Sequence, residues 1–123
     1  MSIAFWCILA AALLPFPFAL AAKWSRRFDN SRPRAYFETL SGWRQRANWV
    51  QQNSFEVFPP FAAAVIVNHL VLGANARADA LALAFVGFRL LFGLSYLADR
   101  ALLRSLMWLA GFACIIALFL SAA

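Results

Sequence analysis

Apolar residues in this chain neither alternate nor form narrow stripes; they run in long blocks separated by short polar stretches. The blocks fall at about residues 3–22, 46–72, 80–98 and 105–122. Each is close to the roughly 20 residues that an α-helix needs to cross the hydrocarbon core of a bilayer. The pattern predicts an all-α membrane protein whose residues 1–123 form a single four-transmembrane-helix bundle. Pro15 and Pro17 predict a bend in the first helix, and Pro59 and Pro60 a kink in the second. In the first connection, Ser31-Arg32-Pro33-Arg34 predicts a break in any helix. The stretch from Trp43 to Asn53 is polar and aromatic but carries no turn signal. The second helix is therefore expected to start near Thr39 or Ser41, outside the membrane, and to run into it.

Composition agrees with this reading: of 123 residues, 64% are hydrophobic and 13% charged, too apolar for a soluble domain of this size. Charge placement adds orientation. Lys and Arg total 11 against 5 acidic residues, a net charge of +6, and a balance so basic can indicate nucleic acid. Here Lys23, Arg26, Arg27, Arg32, Arg34, Arg44 and Arg46 follow directly on an apolar span, where membrane lipid is the expected partner and nucleic acid is not. Connections one and three carry the basic residues, while the second offers Arg77 beside Asp79. Loops one and three are thus expected to be cytosolic in a multi-pass protein of the inner (cell) membrane. Ala19-Leu20-Ala21 resembles a signal-peptidase site, but no basic residue precedes the first block and many follow it. That block reads as a retained anchor. Cys7 and Cys114 sit singly in apolar runs, and His69 ends a span. None has metal-ligand spacing, so no metal site is expected.

Polar residues inside the blocks are the informative exceptions, because each costs free energy unless it is partnered. Gln52, Asn53 and Glu56 share one face of the second helix, with Arg46 and Trp49 on the turns before them. That face is expected to look into the bundle. In the third helix Arg89, Gly93, Tyr96 and Arg100 recur at steps of four, three and four. Glu56 is the natural partner for so deep an arginine as Arg89, either as a purely structural ion pair or within a site for a charged, peptide-like ligand. In such a site Glu56 would take an ammonium group, arginines would take carboxylates, and Gln52 and Asn53 would satisfy amides. Arg104-Ser105 adds a cation and a hydroxyl at the start of the fourth helix.

Two motifs carry a resemblance to a known family. One is Arg46-Ala47, then Asn53-x-x-Glu56, then Phe58-Pro59; the other is Arg89-x6-Tyr96 followed by Arg104-Ser105. With its length and four spans, the chain resembles a bacterial-type member of MAPEG, the membrane-associated proteins in eicosanoid and glutathione metabolism. The resemblance implies a homotrimer with glutathione as co-substrate in clefts between subunits. Asn53, Glu56, Arg89 and Tyr96 would bind glutathione or support its site. Arg104 would face the thiol as the catalytic residue with Ser105 beside it, and Arg26 and Arg27 would hold a carboxylate. Trp49 and Phe92 depart from the eicosanoid-type pattern, which has a further arginine and a tyrosine or histidine there.

The implied activity is a glutathione-dependent membrane transferase or peroxidase acting on lipophilic electrophiles or hydroperoxides. A non-catalytic relative with the same fold is the alternative. A small multidrug exporter also has four short helices and one membrane glutamate, but here the glutamate lies among arginines and the loops are strongly biased in charge.

Overall fold

The computed structural model describes all 123 residues, and they form six helices. These are α1 (Ile3–Leu13), α2 (Pro15–Lys23), α3 (Pro33–Glu38), α4 (Gly42–Leu72), α5 (Ala76–Leu97) and α6 (Ala101–Ser121). Together α1 and α2 make one apolar span, Ile3–Lys23, and α4, α5 and α6 supply three more. The protein is a multi-pass integral membrane protein.

Local sequence accounts for the boundaries. Ser2 caps α1, its hydroxyl accepting the Phe5 N–H at 3.3 Å. Leu14 still donates to the Ala10 carbonyl at 3.0 Å, but Pro15 and Pro17 have no N–H to extend the ladder, so the span is broken there as its prolines predict. No helix runs through Ser31-Arg32, as expected there, and Pro33 begins a new one. Proline at the first helical position loses an N–H that has no partner anyway, and its fixed φ suits the turn. The Tyr36 hydroxyl, buried, donates to the Ala22 carbonyl at 2.9 Å and pins α3 against the end of α2.

Ser41 is the N-cap of α4, which then runs for 31 residues. At 1.5 Å per residue this is about 46 Å, longer than the ~30 Å hydrocarbon core, so its first turns stand clear of the bilayer. Pro59 and Pro60 lie inside α4 without ending it, although the carbonyls of Phe55 and Glu56 lose their helical donors to them. At the other end, α4 stops at Gly73, whose φ of 71° is left-handed. Asn75 caps α5 by accepting the Ala78 N–H at 2.8 Å.

The core is narrow and built on small side chains. Ala4, Cys7 and Ala11 of α1, Ala64 of α4, and Ala78 and Ala82 of α5 are buried together, and Phe61 stacks on Phe85 with ring centroids 3.9 Å apart. Small residues allow the close backbone approach that drives helix association in lipid. Gly93 has a specific steric role, since a methyl group on it would collide with the ring of Phe18. Leucines such as Leu70, Leu94, Leu102 and Leu120 point outward. His69 packs against the Phe5 ring at 4.4 Å.

Candidate functional site

The bundle-facing side of α4 is taken by Ala47, Val50, Ser54, Phe61 and Ala64, all buried. At 100° per residue this turns Trp49, Gln52 and Glu56 outward, and all three are exposed, with Asn53 half-buried between the two sides. The expectation that this polar face looks into its own bundle is therefore corrected: it looks out of the single chain.

Arg89 and Glu56 do not form the expected ion pair. Arg89 is only 2% exposed, and its guanidinium lies 4.1 Å over the Phe92 ring. Its polar contact is with the Ser54 hydroxyl at 3.4 Å. Glu56 accepts instead from the Asn53 amide at 3.2 Å. The i to i+3 spacing on one helix makes Asn53 the nearer partner, while Arg89 points into the core where α4 presents Ser54. The aromatic above Arg89 continues the stack, Phe92 meeting Tyr96 edge to face at 5.5 Å.

Tyr96 is the centre of the arrangement. The Arg104 guanidinium stands 4.6 Å from its ring centroid, and Trp49 is 6.0 Å away on the other side. Two adjoining grooves share Tyr96 and Asn53. One, of about 300 Å³, is lined by Trp49, Gln52, Asn53, Glu56 and Tyr96. The other, of about 420 Å³, is lined by Asn53, Phe92, Tyr96, Arg104, Ser105, Trp108 and Leu109. The combined trough has a carboxylate at one end, a guanidinium with a hydroxyl at the other, and amides between. The Asn53 side-chain oxygen is buried without a partner, which leaves an acceptor unsatisfied at the junction of the two grooves. Arg46, expected on the same face, donates to the Leu97 carbonyl at 3.2 Å and ties α4 to the end of α5.

Of the residues singled out in the sequence, Gln52, Asn53, Glu56, Tyr96, Arg104 and Ser105 line these two grooves. Arg89 lies beneath them. Arg26 and Arg27 do not join them: Arg26 lines a cleft with Lys23 and Arg44, and Arg27 a shallow one beside Asp29 and Tyr36. Trp108 and Leu109 line the site without having been anticipated. Trp108 could have been found, being one turn on from Arg104 and on the same face. Also unanticipated is a third groove of about 710 Å³ that meets the first at Trp49 and Gln52 and reaches Lys23, Arg34, Asn48 and Gln51. Asn48 and Gln51 each bury an unpartnered side-chain oxygen.

Comparison with known proteins gives one match: the MAPEG family model covers residues 3–123. No curated protein and no solved structure matches. A match over nearly the whole chain, on four membrane-spanning helices, makes this a membrane protein related to glutathione and eicosanoid metabolism. The chain belongs to the MAPEG family.

Proposed function

We propose that the protein is a glutathione-dependent membrane transferase or peroxidase acting on lipophilic electrophiles or hydroperoxides, working as a homotrimer with loops one and three in the cytosol. The observation that carries this reading is the trough around Tyr96, with Glu56 at one end, Arg104 and Ser105 at the other and Asn53 common to both halves. Glutathione has an ammonium group, two amides, a thiol and two carboxylates. Glu56 suits the ammonium, Gln52 and Asn53 the amides, and Arg104 the sulfur. The trough has no cation to spare for the carboxylates. The first connection has several, and Arg26 and Arg27 of a neighbouring copy would supply them, which is the chemical reason for placing the site between subunits.

A free thiol with a pKa of about 8.5 is only a few per cent ionised at neutral pH. A guanidinium against the sulfur favours the thiolate, lowering that value by about 1 to 3. Arg104 suits the task because it stays protonated, and its stacking on Tyr96 fixes its direction. Tyr96 is in turn braced by Phe92 and, below it, Arg89. In a transfer reaction the thiolate forms a sulfur–carbon bond as the electrophile's leaving group departs with its electron pair. With a hydroperoxide the thiolate takes the distal oxygen to become a sulfenic acid while the other oxygen leaves and is protonated to an alcohol, and a second glutathione displaces that oxygen as water to form the disulfide. Phe92, Trp108 and Leu109 give the Arg104 end an apolar wall for such a substrate.

One feature favours a second reading, a non-catalytic relative: the wall opposite Arg104 is Trp49, which has no charge to offer a carboxylate. Titration of the purified protein with glutathione, followed by both heat and thiolate absorbance, separates the two. The enzyme reading expects binding with the bound thiol ionised near neutral pH. Binding with an unshifted thiol supports the non-catalytic relative, and no binding overturns the enzyme reading and leaves that relative standing.

A further inference from the structure

Beyond the trough, the end of the first span has a feature that thiol chemistry does not use. Lys23, Trp24, Ser25, Arg26 and Arg44 line a cleft of about 530 Å³. Three of the five are cations, one is a hydroxyl, and none is acidic. Arg44 is held in place: its Nε and Nη2 both donate to the Trp24 carbonyl, at 3.0 and 2.8 Å, and its guanidinium lies 4.6 Å over the Trp43 ring. This fixes a cation from α4 against the chain leaving α2, so the cleft is formed by two elements and is more than a run of like charges on a flexible loop.

Its depth is set by its neighbours. Ala22, one residue before Lys23, ends the apolar span and is fully buried, whereas Trp24 lines the cleft and is 72% exposed. Tryptophans at the end of a span lie among lipid headgroups, apolar body toward the chains and N–H toward water. Three cations and a hydroxyl at that depth match a tetrahedral anion with several acceptor oxygens, and the phosphates of the adjoining leaflet are the ones present. We infer that Lys23, Ser25, Arg26 and Arg44 form a binding site for the phosphate of an anionic phospholipid, which anchors the first connection to the membrane surface beside the catalytic trough.

The test is native mass spectrometry of the purified protein in neutral detergent with added phosphatidylglycerol, phosphatidylcholine or inorganic phosphate. Phosphatidylglycerol should be retained well above phosphatidylcholine. Arg26→Gln, which removes an exposed charge that no contact of the fold relies on, should weaken retention about fivefold. Arg44→Gln should weaken it further, since it also releases the Trp24 carbonyl. Arg32→Gln changes the same connection outside the cleft and should alter retention less than twofold. Equal losses at Arg26 and Arg32 would reduce the site to diffuse attraction by a basic surface and overturn the inference. So would equal retention of the two lipids, or inorganic phosphate displacing phosphatidylglycerol at equal concentration, which would indicate a site for the free ion. Because Arg26 is also a candidate for a carboxylate of glutathione, the experiment is repeated with glutathione at saturation. Loss of the lipid there would assign the cleft to the peptide, whereas unchanged retention supports a lipid site whatever the fate of the catalytic reading.

Discussion

The two ends of the bundle handle buried polar groups in opposite ways. At the end where α4 stops and α5 begins, the groups close on one another. Asn68 is fully buried, and its amide donates to the Leu118 carbonyl at 2.9 Å and the Ser121 hydroxyl at 2.7 Å, while its oxygen accepts from Asn75 at 3.0 Å. Asp79 accepts the backbone N–H of Ala4 at 2.8 Å, joining α5 to the start of α1. Toward the opposite end, Arg46 Nε, Asn48 Oδ1, Gln51 Oε1, Asn53 Oδ1 and Arg89 Nε are buried without partners. A polar group left open in a low-dielectric setting costs stability, and the open groups are gathered at one end and absent from the other. One end holds the helices together through its own polar groups, and the other leaves such groups open, as the proposed ligand and subunit contacts require.

That contrast breaks most easily at Arg104. Arg104→Ala should lower turnover with a model electrophile by about 10²-fold or more, the usual loss when a group that stabilises developing charge is removed. Glutathione affinity should fall much less and unfolding temperature hardly at all; steady-state kinetics beside a thermal melt checks all three. Asn68→Ala is the mirror image. It removes the hydrogen bonds to the Leu118 carbonyl and Ser121 hydroxyl and the one from the Asn75 amide, and should cost about 1 to 3 kcal/mol of stability in detergent unfolding while leaving glutathione affinity unchanged. If Asn68→Ala weakened the ligand and left the melt alone, the division of labour would be wrong.

Glu56→Gln should reduce glutathione affinity by about 1.5 to 3 kcal/mol in a calorimetric titration, as expected for loss of a charge-assisted contact. Because Glu56 pairs with Asn53 and not Arg89, the substitution should leave the fold intact. Gly93→Ala tests the packing under the site: its methyl must displace Phe18, at a cost of about 1 to 3 kcal/mol, read from the same melt. The smallest effect lies in the first connection. The Ser31 hydroxyl and backbone N–H hold the Asp29 carboxyl below the ordinary carboxylate range. A carboxyl depressed in the folded state contributes stability above its unfolded pKa, and that contribution is lost as pH falls through the folded value. With Asp29 fully exposed, Ser31→Ala should raise its titration in an NMR experiment without changing stability between pH 5 and 8.

How much the sequence disclosed follows from which forces act locally. Span positions and the break at Pro15 are readable because hydropathy and missing N–H groups are properties of neighbouring residues. The early start of α4 is readable for the same reason, as no breaker stands between Ser41 and Asn53. The short helix after Pro33 is not legible, because proline stops one helix and starts another equally well, and only the chain after it decides. The polar residues of α4 and α5 are conspicuous by type and spacing, yet spacing gives their relative angle and not the direction of the core. Small residues set that direction: Ala47, Ser54 and Ala64 pack inward and carry Glu56 outward, away from Arg89. The Lys23 cleft and the third groove depend on how the first connection folds back on α4, a long-range contact that no local pattern encodes.

Pro59 and Pro60 have a mechanical consequence. With no N–H at either position, α4 lacks two successive rungs of its ladder, those that would have ended on the carbonyls of Phe55 and Glu56. Bending stiffness is therefore lowest at one place on the helix. Above it lies the lever that carries Trp49, Gln52 and Asn53; below it lies the shaft locked by the Phe61–Phe85 stack. An elastic joint so placed would let the trough change width without disturbing the packed shaft, so the compliance of the site would rest on two residues that do not line it.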